Sequence, residues 1–94
     1  MIVRILGEGQ FRADEALVKE LNRIDNRLVA HVEKGDQRSF QNDLRELISL
    51  VRTRGEPIDP VDLLPSSIIV PPEDLSLDEA RRVFRGAGLI EDTA

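Results

Sequence analysis

The chain has 94 residues, 40% of them hydrophobic and 33% charged, which suits one small soluble folded domain and argues against disorder. No cysteine is present, so a disulfide scaffold and a thiolate zinc site are both excluded. The 13 basic and 18 acidic side chains leave a net charge of −5, which argues against non-specific nucleic-acid binding, and no apolar run reaches the roughly 18–20 residues that span a bilayer.

Residues 2–13 hold two β-favouring stretches around Gly7-Glu8-Gly9, a turn signal, and predict a tight hairpin with Leu6 near Phe11. A lone two-stranded hairpin is marginal in water, so its apolar face must rest on something else. The opening Met-Ile-Val-Arg-Ile-Leu is too short for the hydrophobic core of a signal peptide and lacks a basic leader. Asp14 is a good N-cap, and Glu15 puts negative charge in the first helical turn. Leu17, Leu21, Ile24, Leu28 and Val32 then recur at spacings of four, three, four and four, one apolar stripe on a helix of about 20 residues. Gly35 is the expected left-handed C-cap after Lys34, and Asp36 caps the next helix at once. Phe40, Leu44, Leu47, Ile48 and Val51 carry the second stripe, with Arg52 and Arg54 in its last turn before Gly55 and Pro57. Two amphipathic helices joined at Gly35-Asp36 predict an antiparallel αα-hairpin.

Pro57, Pro60, Pro65, Pro71 and Pro72 then exclude a long helix. Between them Ser67-Ile68-Ile69-Val70 is a short β-branched run able to add a third strand to the hairpin. Ser76 opens a capping box with Glu79, and Leu77, Ala80, Val83 and Phe84 predict a short third helix closed by Gly86 and Gly88. The expected fold is α+β and mostly helical, a single domain over residues 1–94. Its parts are a β-hairpin over 1–13, a helical hairpin over 14–54, a Pro-rich connection over 55–75, and a short helix and tail over 76–90.

No catalytic, cofactor or metal constellation is legible. Gly7-Glu8-Gly9 lacks the strand, loop and helix order that a phosphate cradle requires, and reads as a turn. His31, the one histidine, reads as a half-buried helix-end residue with no Ser or carboxylate aimed at it. Asp14 and Asp36 read as caps, Asp59 and Asp62 as turn residues, and the helix carboxylates, Asp43 among them, as solvated faces with ordinary pairs such as Glu15–Lys19. Arg81, Arg82 and Arg85 gather beside Val83, Phe84, Leu89 and Ile90, a weak signal for contact with a membrane or an acidic partner. Val18, Val29, His31 and Leu50 lie beside the main stripes and are the candidate partner-binding residues.

The order of segments carries a resemblance. Ile2-Val3-Arg4-Ile5-Leu6-Gly7-Glu8-Gly9-Gln10-Phe11 leads to Leu21-Asn22, Ile24-Asp25-Asn26 and Gly35-Asp36. Leu64-Pro65-Ser66-Ser67-Ile68-Ile69-Val70-Pro71-Pro72 and Leu77-Asp78-Glu79-Ala80 follow. Over about residues 1–90 the chain resembles the PspAA family, with Gly7 to Gln10 and Leu64 to Pro72 its most specific parts. The resemblance implies a small, mostly helical accessory domain that accompanies phage-shock protein A (PspA), a long coiled-coil protein of the ESCRT-type membrane-remodelling group that responds to envelope stress. It supplies no catalytic residues.

The expected function is a non-enzymatic adaptor that binds or regulates PspA. The alternative is a homo-oligomeric structural module without that contact. The expected location is the cytoplasm, with any contact at the inner face of the membrane made through the partner.

Overall fold

A computed structural model describes residues 1–83. The chain runs β1 (Ile2–Ile5), β2 (Gly9–Arg12), α1 (Glu15–Lys34), α2 (Gln37–Arg54), β3 (Glu56–Pro57), β4 (Ile68–Val70) and α3 (Leu77–Val83). The fold is α+β and mostly helical, with the two long helices forming the expected hairpin.

β1 and β2 pair antiparallel, and the turn between them closes through a 3.0 Å bond from the Glu8 N–H to the Ile5 carbonyl. Gly7 and Gly9 take φ of 87° and 127°, values that side chains resist. The register differs from the expectation. Val3, not Leu6, stands opposite Phe11, and Leu6 falls in the turn. Side chains alternate across a strand, so a register that buried Leu6 would turn Val3 and Ile5 outward. Both are buried instead.

Each helical stripe packs inward as its spacing requires. Asp14 accepts from the Leu17 N–H at 2.8 Å to start α1, and Gly35 ends it in the left-handed region at φ 72°. Asp36 caps α2 through the Ser39 N–H at 3.2 Å. All five residues of each stripe are buried, in one core with Val3 and Ile5 of β1, Ile68 and Val70 of β4, and Ala13, Leu75 and Ala80. The helical hairpin therefore covers one face of the sheet, and this supplies the support that the β-hairpin lacks alone.

The sheet has four strands in the order β3-β2-β1-β4, where the sequence predicts three. The run at Ile68–Val70 adds to β1 in parallel, with Val3 opposite Ile68 and Ile5 opposite Val70. The unexpected strand is β3, two residues at the other edge, where Pro57 is opposite Phe11. An edge is the one place a sheet accepts proline. Gly55 makes the entry possible, because a Cβ there would stand 2.4 Å from the Val51 carbonyl oxygen and 3.1 Å from Phe11 Cβ. β3 and β4 lie at opposite edges, so residues 58–67 must cross the sheet to connect them.

α3 begins with the expected capping box. The Glu79 N–H donates to Ser76 Oγ at 3.2 Å, and the Ser76 N–H donates back to Glu79 Oε1 at 3.3 Å. Phe84, Gly86 and Gly88 lie outside the described residues.

Leu28→Ala should lower the free energy of unfolding in urea by about 2–5 kcal/mol, because it empties space at the centre of the hairpin. Val61→Ala, on a side chain that stands in solvent, should change it by no more than about 0.5 kcal/mol.

Candidate interaction surface

The flanks of the helical hairpin hold the first set of candidate residues. Val18, Val29, His31 and Leu50 are all half-buried, and Val18, Val29 and Leu50 pack against the core. At about 100° per residue, Val18 and Val29 fall on the flank of α1 that carries Asn22 and Asp25, whereas His31 falls on the opposite flank with Arg27. Leu50 lies about two turns beyond Asp43 on the same side of α2. Because Asp43 meets His31, the four residues divide between two sides of the hairpin.

His31 does have a carboxylate aimed at it. Its Nδ1 donates to Asp43 Oδ2 at 2.5 Å, and Arg27 Nε donates to Asp43 Oδ1 at 2.7 Å. Arg27 also reaches Glu46 through its second nitrogen. Asp43 is only 5% exposed, so reading it as part of a solvated face was mistaken, and Asp25 is buried as well. A buried carboxylate is tolerable where its oxygens receive charged or polar donors, and Arg27 and His31 supply both here. The Asp43 bond holds Arg27 fully charged, with its pKa raised above the ordinary value. An Asp–His pair is also the part of a catalytic triad that orients the histidine. Among the described residues, however, no hydrogen bond joins His31 to a hydroxyl nucleophile, and the geometry is that of a tie between two helices.

The outer face of the sheet holds the second arrangement. Arg4, Gln10 and Ile69 form one cross-strand row there, since Val3, Ile5, Ile68 and Val70 point into the core. The Gln10 side chain grips the crossing segment. Its Nε2 donates to the Leu64 carbonyl (2.5 Å) and to Ser66 Oγ (2.7 Å), while its Oε1 accepts from the Leu64 N–H (3.3 Å). The Gln10 carbonyl accepts from the Ile58 N–H at 3.0 Å. Residues 58–66 thus form a strap over the outer face, with Ile58 and Leu64 half-buried beneath it. The segments that are most specific to the resemblance, Gly7 to Gln10 and Leu64 to Pro72, meet at this clamp. At the neighbouring turn Arg52 makes a two-point contact with Glu8, at 2.6 and 2.7 Å.

The remaining candidates are dispersed. Arg81 and Arg82 are exposed on α3, and Arg81 stands 3.9 Å from Asp78. Arg85, Phe84, Leu89 and Ile90 lie outside the described residues. A cleft of about 290 Å³ is lined by Met1, Arg12, Ala13, Asp14, Arg54 and Glu56, two cationic and two acidic side chains among them. Among the described residues no group of His, Asp and Glu is placed to hold a metal, and no helix is long and apolar enough to cross a membrane. The sequence reading missed Gln10, Asp43, Val61 and Leu63. A polar residue directly after the two turn glycines and a later Leu-Pro-Ser run were visible, but nothing local joined them.

Gln10→Ala should cost about 1–2 kcal/mol, the net worth of a few partly exposed hydrogen bonds, and should open the strap to limited proteolysis while helical circular dichroism is kept. Acid should also weaken the fold. Hydrogen bonding by Arg52 holds Glu8 below its usual carboxylate range, and hydrogen bonding by Ser39, through its side chain and then its backbone N–H, does the same for Asp36. Folded pKa values below the unfolded ones give stability that is present above about pH 4.5 and is lost as pH falls through the folded values. Loss of these two contributions should lower the urea midpoint below about pH 4, and Glu8→Gln should flatten part of that fall.

Compared with known proteins, residues 1–92 match the family model described as PspA-Associated protein. No curated protein and no solved structure matches the chain. The family match spans nearly the whole chain, including both segments that meet at the Gln10 clamp and the helical hairpin between them. The chain belongs to the PspAA family, the PspA-associated proteins.

Proposed function

We propose that this chain is a non-enzymatic adaptor that binds PspA, or regulates its assembly, in the envelope stress response. The observation that carries this reading is the family match over residues 1–92, in a family named for association with PspA. The fold supports it physically. An antiparallel pair of helices offers grooves along its flanks, and a coiled-coil partner offers ridges of matching spacing. In this reading Val18 and Val29 on one side, and His31 and Leu50 on the other, add the outward halves of their side chains. Arg81 and Arg82 offer a secondary contact for acidic groups, and contact with the inner face of the membrane runs through PspA.

Co-expression of the full-length chain with PspA, followed by size exclusion with light scattering, tests the reading. One species that contains both proteins is the expected result. A chain that elutes as a monomer apart from PspA overturns it, and a stable homo-oligomer without PspA makes the chain a self-associating module instead.

A further inference from the structure

Two large apolar side chains of the strap stand almost wholly in solvent, Val61 at 85% and Leu63 at 77% exposure. They do not sit on a loose end. The Asp62 N–H donates to the Asp59 carbonyl at 2.8 Å, the Val61 N–H donates to Asp59 Oδ1 at 3.0 Å, and Pro60 sets the backbone between them. On one side of this turn Ile58 is tied to the Gln10 backbone, and on the other Leu64 is tied to its side chain. A turn capped within and anchored at both ends has little freedom left to lose on binding. Single exposed apolar residues are ordinary on a soluble surface. Here the fold half-buries Ile58 and Leu64 and holds the two apolar residues between them outward.

The charge around the turn indicates what it meets. Residues 55–80 contain seven Asp and Glu and no Lys or Arg, whereas residues 1–54 contain nine acidic and ten basic side chains. The negative charge of the chain is therefore concentrated in the strap and the segment after it, with Asp59 and Asp62 on either side of Pro60-Val61, while Arg4 is the one cation lining the cleft beside Pro60 and Leu63. Such a surface is complementary to an apolar pocket with a basic rim, where opposite charge also speeds encounter.

We propose that the turn Asp59–Leu63 is a preformed docking knob, with Val61 and Leu63 entering an apolar pocket on a partner protein and Asp59 and Asp62 meeting Arg or Lys at its rim. This rests on the reading of PspA as the partner, and names the element by which the chain is held. The half-buried flank residues have less apolar surface to give.

Calorimetric titration of the full-length chain with PspA tests the knob. Val61→Ser with Leu63→Ser should weaken binding by about tenfold or more, with circular dichroism and thermal midpoint unchanged. Asp62→Lys should weaken binding at low salt and flatten its salt dependence. Unchanged affinity in the double variant overturns the knob and leaves the PspA association standing. No binding by the wild-type chain overturns the association and the knob together. Should the double variant fail to fold, Asp62→Lys reads the same contact through charge alone, and unchanged binding there counts against it.

Discussion

Three hydrogen bonds from the Gln10 side chain hold the chain where it must cross from one edge of the sheet to the other. The helical hairpin occupies the inner face, so the return from β3 to β4 has only the outer face available. That face is poor in apolar cover, and a segment lying on it needs polar anchors. Gln10 suits the task because one amide both donates and accepts, so it can satisfy the backbone N–H and C=O of a single residue, Leu64. With that crossing secured, Ile68–Val70 reaches β1 in register and closes the core from the far edge.

The helical hairpin answers a different constraint. Its apolar stripes are used on the sheet and on each other, so the seam between the helices on the solvent side is polar. Asp43 is buried there and is made tolerable by Arg27 and His31 from the facing helix. An arrangement of this kind contributes more to helix register than to net stability, because the cost of desolvation offsets much of the attraction. The lone histidine takes part in that tie. Its Nδ1 is committed to the helix opposite.

The same division of labour accounts for the functional reading. The helical side buries its stripes in the core and ties its seam with ion pairs, and its apolar flanks stay half covered. The strap side carries a hydrogen-bonded turn with exposed apolar side chains and a surplus of negative charge. A family named for association with another protein, and a fold that leaves its best exposed apolar surface on an anchored turn, point in the same direction.

The amino-acid order by itself determined the local elements. Asp14, Gly35, Asp36 and the Ser76–Glu79 box set helix ends through bonds no more than a few residues long, and the spacing of Leu17 to Val32 and of Phe40 to Val51 marked the buried faces. Even the β-branched run at Ile68–Val70 was legible as a strand, because β preference is read from the residues themselves. The tertiary structure decided everything that depends on groups far apart in the chain. The hairpin register followed from which face Val3 and Ile5 could bury, and β3 from the path that Gly55 permits past Phe11. Gln10 met Leu64 across 54 positions, and Asp43 met His31 across 12, through a fold that no local spacing encodes. The exposed turn belongs with these. Val61 and Leu63 read as ordinary apolar residues of a loop until the crossing of the sheet set them outward.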